Sequence, residues 1–262
     1  MNPNVLLSIN DISMRFGGLQ ALKNIQFEIT KNKVTGLIGP NGAGKTTLFN
    51  CLTGFYKPSE GAIFLHHESA KKMIPLPKKS YQVARLGIAR TFQNIRLFKE
   101  MTVIENLLIA QHQAVNNNLF SGLLGLSGFF KKENRAIETA YAWLDFFHLT
   151  NCSNQLAGSL SYGQQRYIEI ARALCTSPRL LCLDEPAAGM NPQETQELCR
   201  LIQKLMTEHD MTVLLIEHDM SLIMKICDHI IVLDHGNLIA EGSPTEIKKN
   251  PAVVSAYLGI DS

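Results

Sequence analysis

The sequence predicts an α/β fold: a parallel sheet buried on both faces, interrupted by a mostly helical insertion. Three observations predict it. The apolar runs at 34–38, 180–183 and 212–216 are near-continuous instead of alternating, as in strands covered on both faces. Segments of helical periodicity at 193–208 and 221–227 alternate with those runs. Between about 94 and 177 little looks like strand, and 103–112, 133–147 and 164–175 repeat with a helical period.

At the N-terminal end, 6–9 and 25–29 read as strands, the second with half-buried alternation. A turn at 14–18 separates them and puts Phe16 at its lip. Phe16 could stack on an adenine ring or plug the space under a loop. On local sequence alone the plug is favoured.

The strand at 34–38 runs into Gly39, Pro40, Asn41, Gly42, Ala43, Gly44, Lys45, Thr46 and Thr47, which fits G-x-x-x-x-G-K-[ST]. A helix is predicted from Thr46 to 52. A glycine-rich turn in this position aims several backbone N–H groups, and the positive end of a helix, at one small volume. That volume suits a nucleotide β-phosphate. Lys45 would reach the β- and γ-phosphates, and the Thr46 hydroxyl would complete the shell of a Mg2+ ion.

Turn-rich sequence at 53–61 leads into a strand at 62–65, and the polar segment 66–79 reads as an exposed loop. His66 and His67 have no third ligand at a useful spacing and read as surface residues. A strand at 88–93 ends in Gln93. Thr102, with Glu105 three residues on, forms a capping-box pattern opening the next helix. The stretch 119–130 is apolar with a glycine at every third position, too short for a bilayer and too glycine-rich for a rigid helix. It reads as a packed loop, with contact to a membrane partner or to lipid headgroups as the alternative. Near the C-terminal end, 229–234 and 238–240 form a hairpin through Gly236 and Asn237.

Composition narrows the class. The 262 residues can bury a full core and suit one large domain, or one domain with a subdomain. A net charge of +2 gives no basic footprint for nucleic acid and would not hold the chain on anionic lipid unaided. The six cysteines lack any C-x-x-C pair and read as buried free thiols of a reducing compartment. No apolar run approaches the ~18 residues of a membrane helix. The opening Met-Asn-Pro-Asn-Val-Leu-Leu lacks a basic segment followed by an apolar core, so a cytosolic chain is expected.

Two acids, Asp184 and Glu185, end the apolar run at 180–183. A parallel sheet can bring that strand beside the one leading into the glycine-rich loop. Asp184 is then a candidate to meet Mg2+, through water, and Glu185 to take a proton from water attacking the γ-phosphate.

Downstream, Leu160-Ser161-Tyr162-Gly163-Gln164-Gln165 opens a helix. Together with the loop and the acid pair, it resembles the L-S-G-G-Q signature of ATP-binding cassette (ABC) proteins, with Tyr162 replacing the first glycine. The resemblance covers essentially the whole chain from Phe16 to the hairpin. It implies a P-loop NTPase (RecA-like) core with an N-terminal antiparallel β subdomain and an inserted α-helical subdomain. The core is expected at about 5–93 and 178–250, the helical subdomain at 94–177 and a tail at 251–262.

Residue by residue, the resemblance implies that Ser161, Gly163 and Gln164 face the γ-phosphate of ATP bound to a second cassette. Gln93 matches the glutamine that senses γ-phosphate and metal. His218 matches the histidine that hydrogen-bonds the γ-phosphate, and Phe16 the adenine-stacking aromatic. Asn191 replaces the usual aspartate of the loop that contacts the other cassette, so a different bonding pattern across the pair is expected.

One set of motifs, without membrane spans, resembles a separately encoded transporter ATPase. The segments 160–174, 184–192 and 215–220 and the tail from Glu241 to Gly259 are similar to the ATP-binding subunits of high-affinity branched-chain amino-acid importers. Cassettes for urea, short-chain amides and lipopolysaccharide are the alternatives, with a non-hydrolysing regulatory cassette as a different class. The implied partners are a second cassette, identical or paralogous, and two transmembrane permease subunits, with a solute-binding protein engaged indirectly. No nucleic acid is implied. The implied location is peripheral, on the cytoplasmic face of the membrane, and coupling to the permeases is expected through a groove lined by 94–105.

Overall fold

The computed structural model describes residues 3–67, 72–111 and 127–258. The chain divides into two compact units, one of residues 1–90, 179–186 and 197–262, the other of 91–178 and 187–196.

The first unit holds two sheets. In the antiparallel one, β1 (Val5–Phe16) lies between β2 (Leu19–Thr30) and β4 (Glu60–His67), with β5 (Lys72–Pro75) at the far edge. Both N-terminal strands run well beyond the predicted spans. Asp11, at φ 50°, marks a break in register between Ile9 and Ile12, and the pairing resumes beyond it. The segment 66–79 is not simply a loop. Met73 and Ile74 pair with His66 and Leu65, so an apolar pair inside a polar stretch becomes an edge strand. His66 is no free surface residue either, since its Nε2 lies 2.8 Å from Ser8 Oγ.

The second sheet has the order β10-β9-β3-β8-β7-β6. Here β3 is Val34–Ile38, β6 Ile88–Arg90, β7 Leu180–Asp184, β8 Thr212–Ile216, β9 His229–Asp234 and β10 Asn237–Gly242. All neighbours are parallel except the β9–β10 hairpin. Every residue of β3, β7 and β8 is buried, as their unbroken apolar runs require.

Two expectations change here. Strands β3 and β7 are not side by side, because β8, apolar on both faces, takes the central place between them. Strand β6 stops at Arg90, so Gln93 lies beyond it. A glycine inside β3 has a packing reason: a Cβ on Gly36 would lie 2.8 Å from Cys227 Sγ and 3.2 Å from Ile223. The helix that carries Ile223 and is capped by Cys227, α7 (Met220–Ile226), therefore sits close against the strand.

Helix α1 (Lys45–Leu52) follows β3 directly, and α2 (Ser80–Arg85) precedes β6. After β10 the chain ends in α8 (Pro244–Lys249) and α9 (Pro251–Leu258).

The second unit is helical, with α3 (Val103–Ala110), α4 (Ser127–Phe146) and α5 (Tyr162–Leu174) packed on one another. Thr102 caps α3 in the predicted capping box with Glu105. Val103, Leu107, Ala140, Leu144, Ile168 and Leu174 are fully buried, and Phe147 stacks on Tyr167 at 5.8 Å. Of the stretch 119–130, residues 119–126 lie outside the described residues, and 127–130 form the start of α4 instead of a loop. Helix α6 (Pro192–His209) begins in this unit and continues into the first. Among the described residues no helix is long and apolar enough to cross a membrane.

Candidate functional site

Parallel strands end at one edge of a sheet, so β3, β7 and β8 deliver residues 39–47, 184–185 and 217–218 to the same side. The turn after β3 needs its glycines. Gly42 and Gly44 adopt φ of 82° and 101°, values that cost an L side chain strain. A Cβ on Gly39 would strike the Leu233 carbonyl, whereas one on Gly42 would meet nothing within 4 Å. The loop is thus tight against the sheet and open at Gly42.

Gly44 caps α1 in the left-handed conformation, with no side-chain cap and no acid in the first turn. Four first-turn amides of a helix have no intrahelical acceptor, so this end suits an anion. Asn41 and Thr46 are exposed, Thr47 is half-buried and Ala43 is buried. Lys45 Nζ donates to the carbonyls of Gly39 (2.7 Å) and Pro40 (2.9 Å). Burial pulls its ammonium below the usual range, and the Glu185 carboxylate partly offsets that.

Asp184 closes β7 and is buried, with Oδ2 accepting from Arg90 Nη2 at 3.1 Å. Arg90 also donates to Asn50 Oδ1 and Thr53 Oγ1 and lies 4.7 Å from the ring centroids of both Phe49 and Phe55. Helix α1 and the Asp184 carboxylate are thereby tied through one guanidinium. Sequence reasoning missed Arg90. Its only signal was a cation closing an otherwise apolar strand.

Glu185 follows with φ 47°, its N–H bonded to the Ile216 carbonyl. A left-handed glutamate costs about 1–2 kcal/mol, and such strain gathers at functional sites. His218 Nε2 lies 2.5 Å from Glu185 Oε1. Phe16 is no buried plug: it is 41% exposed and packs edge-on against Tyr56 at 5.3 Å.

The remaining candidates belong to the other unit. Ser161 caps α5, its Oγ accepting from Gln164 N (3.3 Å) while Gln164 Oε1 accepts from Ser161 N (3.1 Å). Gly163 packs beneath a side chain of α6, where a Cβ would lie 2.6 Å from Glu194 Oε1. Asn191 exchanges two hydrogen bonds with Glu194, at 2.9 and 3.0 Å, and so acts as a cap for α6. The Gln93 carbonyl accepts from Arg166 Nη2 at 2.7 Å. Burial raises the Glu169 carboxyl above its usual range, against the Arg166 charge and backbone amides that lower it.

Comparison with known proteins identifies the family. The ABC transporter family profile matches residues 22–188, and that of the branched-chain amino acid ATP-binding cassette transporters matches 237–261. The chain is 51% identical over 254 residues to the high-affinity branched-chain amino acid transport ATP-binding protein BraF of Pseudomonas aeruginosa, covering 97% of this chain and 98% of that one. It is equally similar, at 51% and the same coverage, to LivG of Escherichia coli (strain K12), which carries the same description. Among solved structures, the ADP conformation of MJ1267, an ATP-binding cassette of an ABC transporter, superposes with a TM-score of 0.82 at 34% identity, covering 97% of this chain and 99% of that one. The chain belongs to the ABC transporter family, as an ATP-binding, ATP-hydrolysing cassette.

Proposed function

We propose that this cassette powers the import of branched-chain amino acids. The observation that carries the substrate class is the family match at 237–261, a segment outside every nucleotide motif. None of the motif residues would touch the amino acid.

In this reading the phosphates of ATP enter over Gly42 and replace the carbonyls of Gly39 and Pro40 as partners of Lys45 Nζ. The first-turn amides of α1 take the β-phosphate, and Phe16 stacks on the adenine. The donor set suits Mg2+: the Thr46 hydroxyl would hold the ion directly and the Asp184 carboxylate through water. Gln93 would complete that shell. Bound there, the ion would neutralise developing phosphate charge.

Glu185 then accepts a proton from the attacking water, and His218 orients that carboxylate through Nε2, sharing its one Nε2–H with the γ-phosphate. Ser161, Gly163 and Gln164 of a second cassette close over the same phosphate. The pair, identical or paralogous, works on two permease subunits at the cytoplasmic face of the membrane, with a solute-binding protein engaged indirectly. Phe98, half exposed and ahead of α3, and Arg96 form the contact with those permeases.

Uptake of labelled leucine, isoleucine and valine tests the reading, in cells lacking this chain and complemented with wild type or Lys45→Ala. Wild type alone should restore uptake. Unimpaired uptake in the deletion strain, with no second cassette to substitute, would contradict the substrate assignment.

A further inference from the structure

Helix α5 carries a buried charge that none of these roles uses. Arg166 is fully buried, and its Nη1 donates to Glu169 Oε2 (2.7 Å) and to the Phe92 carbonyl (2.6 Å). Its Nη2 donates to the Gln93 carbonyl (2.7 Å) and to the Tyr162 hydroxyl (3.2 Å). Glu169 Oε1 accepts from the amides of Phe92 (3.4 Å) and Arg96 (3.2 Å). Tyr162, Arg166 and Glu169 share one helical face by their spacing. That face therefore grips two carbonyls and two amides of the segment 92–96. The Tyr162 ring extends the contact, since a Cβ at Gly189 would lie 3.1 Å from it.

The attraction between the two charges does not itself account for the pair. Desolvating two charges consumes most of their attraction, and apolar residues of similar volume often serve as well. Arg166 Nε, moreover, is buried without a hydrogen-bond partner, which adds a cost. What the pair supplies is fixed geometry, because a guanidinium presents its donors in a rigid fork.

We propose that Arg166 is a positioning residue: it locks the backbone of Gln93 to the N-terminal end of the helix that carries Ser161, and through Tyr162 to Gly189. The proposal rests on the roles given above to Gln93 and Ser161. One guanidinium then sets the spacing between the group that senses this chain's own γ-phosphate and the group that closes over the partner's. Steps that need both groups depend on Arg166, and binding of a nucleotide diphosphate to the Lys45 loop does not.

The test uses the full chain with Arg166→Met and Glu169→Leu together, an exchange that keeps volume and removes both charges. Thermal melting should fall, because the Phe92 and Gln93 carbonyls and the Phe92 and Arg96 amides lose their partners, but below the melt affinity for MgADP should be unchanged. ATP turnover should fall about tenfold or more, and in a Glu185→Gln background ATP-driven pairing of cassettes should need about tenfold more ATP. Wild-type turnover and pairing by the folded variant would overturn the proposal and leave the pair a purely structural one. If the double variant does not fold, Arg166→Lys decides: it keeps the charge and loses the fork, so turnover should still fall, and wild-type turnover would overturn the proposal. Gln93→Ala separates the two layers. Full turnover in that variant would remove the role of Gln93, while the pairing measurement would still judge Arg166 through Ser161.

Discussion

His218 Nε2 and Glu185 Oε1 stand 2.5 Å apart, joining the residue just past β7 to one just past β8. The two strands are parallel neighbours, with Asp184 paired to Ile216, so the contact follows from register. If His218 orients the carboxylate, His218→Ala should lower kcat for ATP hydrolysis about 100-fold or more and leave ATP affinity near wild type. Loss of affinity with unchanged kcat would assign His218 to binding instead.

Lys45 and Ser161 should fail differently. Lys45→Ala removes a charged donor from the phosphates, and nucleotide affinity should fall about tenfold to a hundredfold. Ser161→Arg should leave the affinity of the isolated chain unchanged and stop turnover. Mixing the two variants should restore part of the activity, because a mixed pair has one site with both residues intact. Equal loss of binding in both variants, measured on the isolated chain, would contradict a shared site.

Gly163 lies under Glu194, whose carboxylate accepts from the Asn191 amide at 3.0 Å. Gly163→Ala pushes that carboxylate aside, so the Asn191 amide loses its acceptor while the Asn191 side chain still caps Glu194 N, at a cost of about 0.5–1.5 kcal/mol. Thermal melting of the variant reads the loss, and an unchanged melting temperature would mean that Glu194 swings away freely.

All six cysteines are free, and only Cys152 is not buried. Burial pushes Cys51, Cys175, Cys182 and Cys227 up to about 12. A thiol must ionise to attack a disulfide reagent, so Cys152 alone should react quickly at neutral pH. The other five should react only as the chain unfolds. A second fast thiol in the native protein would contradict the burial.

Much of this site was legible because its parts are local. Residues 39–47 declare their turn through glycines within a few positions, and Ser161 and Thr102 declare helix starts through partners three residues on. Arg90 and Arg166 were not legible. Their partners, Asp184 for one and the Phe92 and Gln93 carbonyls for the other, lie more than seventy residues away in sequence, and an arginine in an amphipathic helix reads as solvated until the packing is known. The order of strands was likewise hidden. An apolar run says that a strand is buried, and nothing in β8 says that it separates β3 from β7.

In the proposed mechanism Glu185 converts a nucleotide-binding loop into an ATPase. Release of labelled phosphate from MgATP by the full chain, wild type against Glu185→Gln at matched nucleotide occupancy, tests it most directly. Phosphate release should fall about 100-fold to 10,000-fold in the variant with ATP still bound. Equal phosphate release by the two proteins would contradict it.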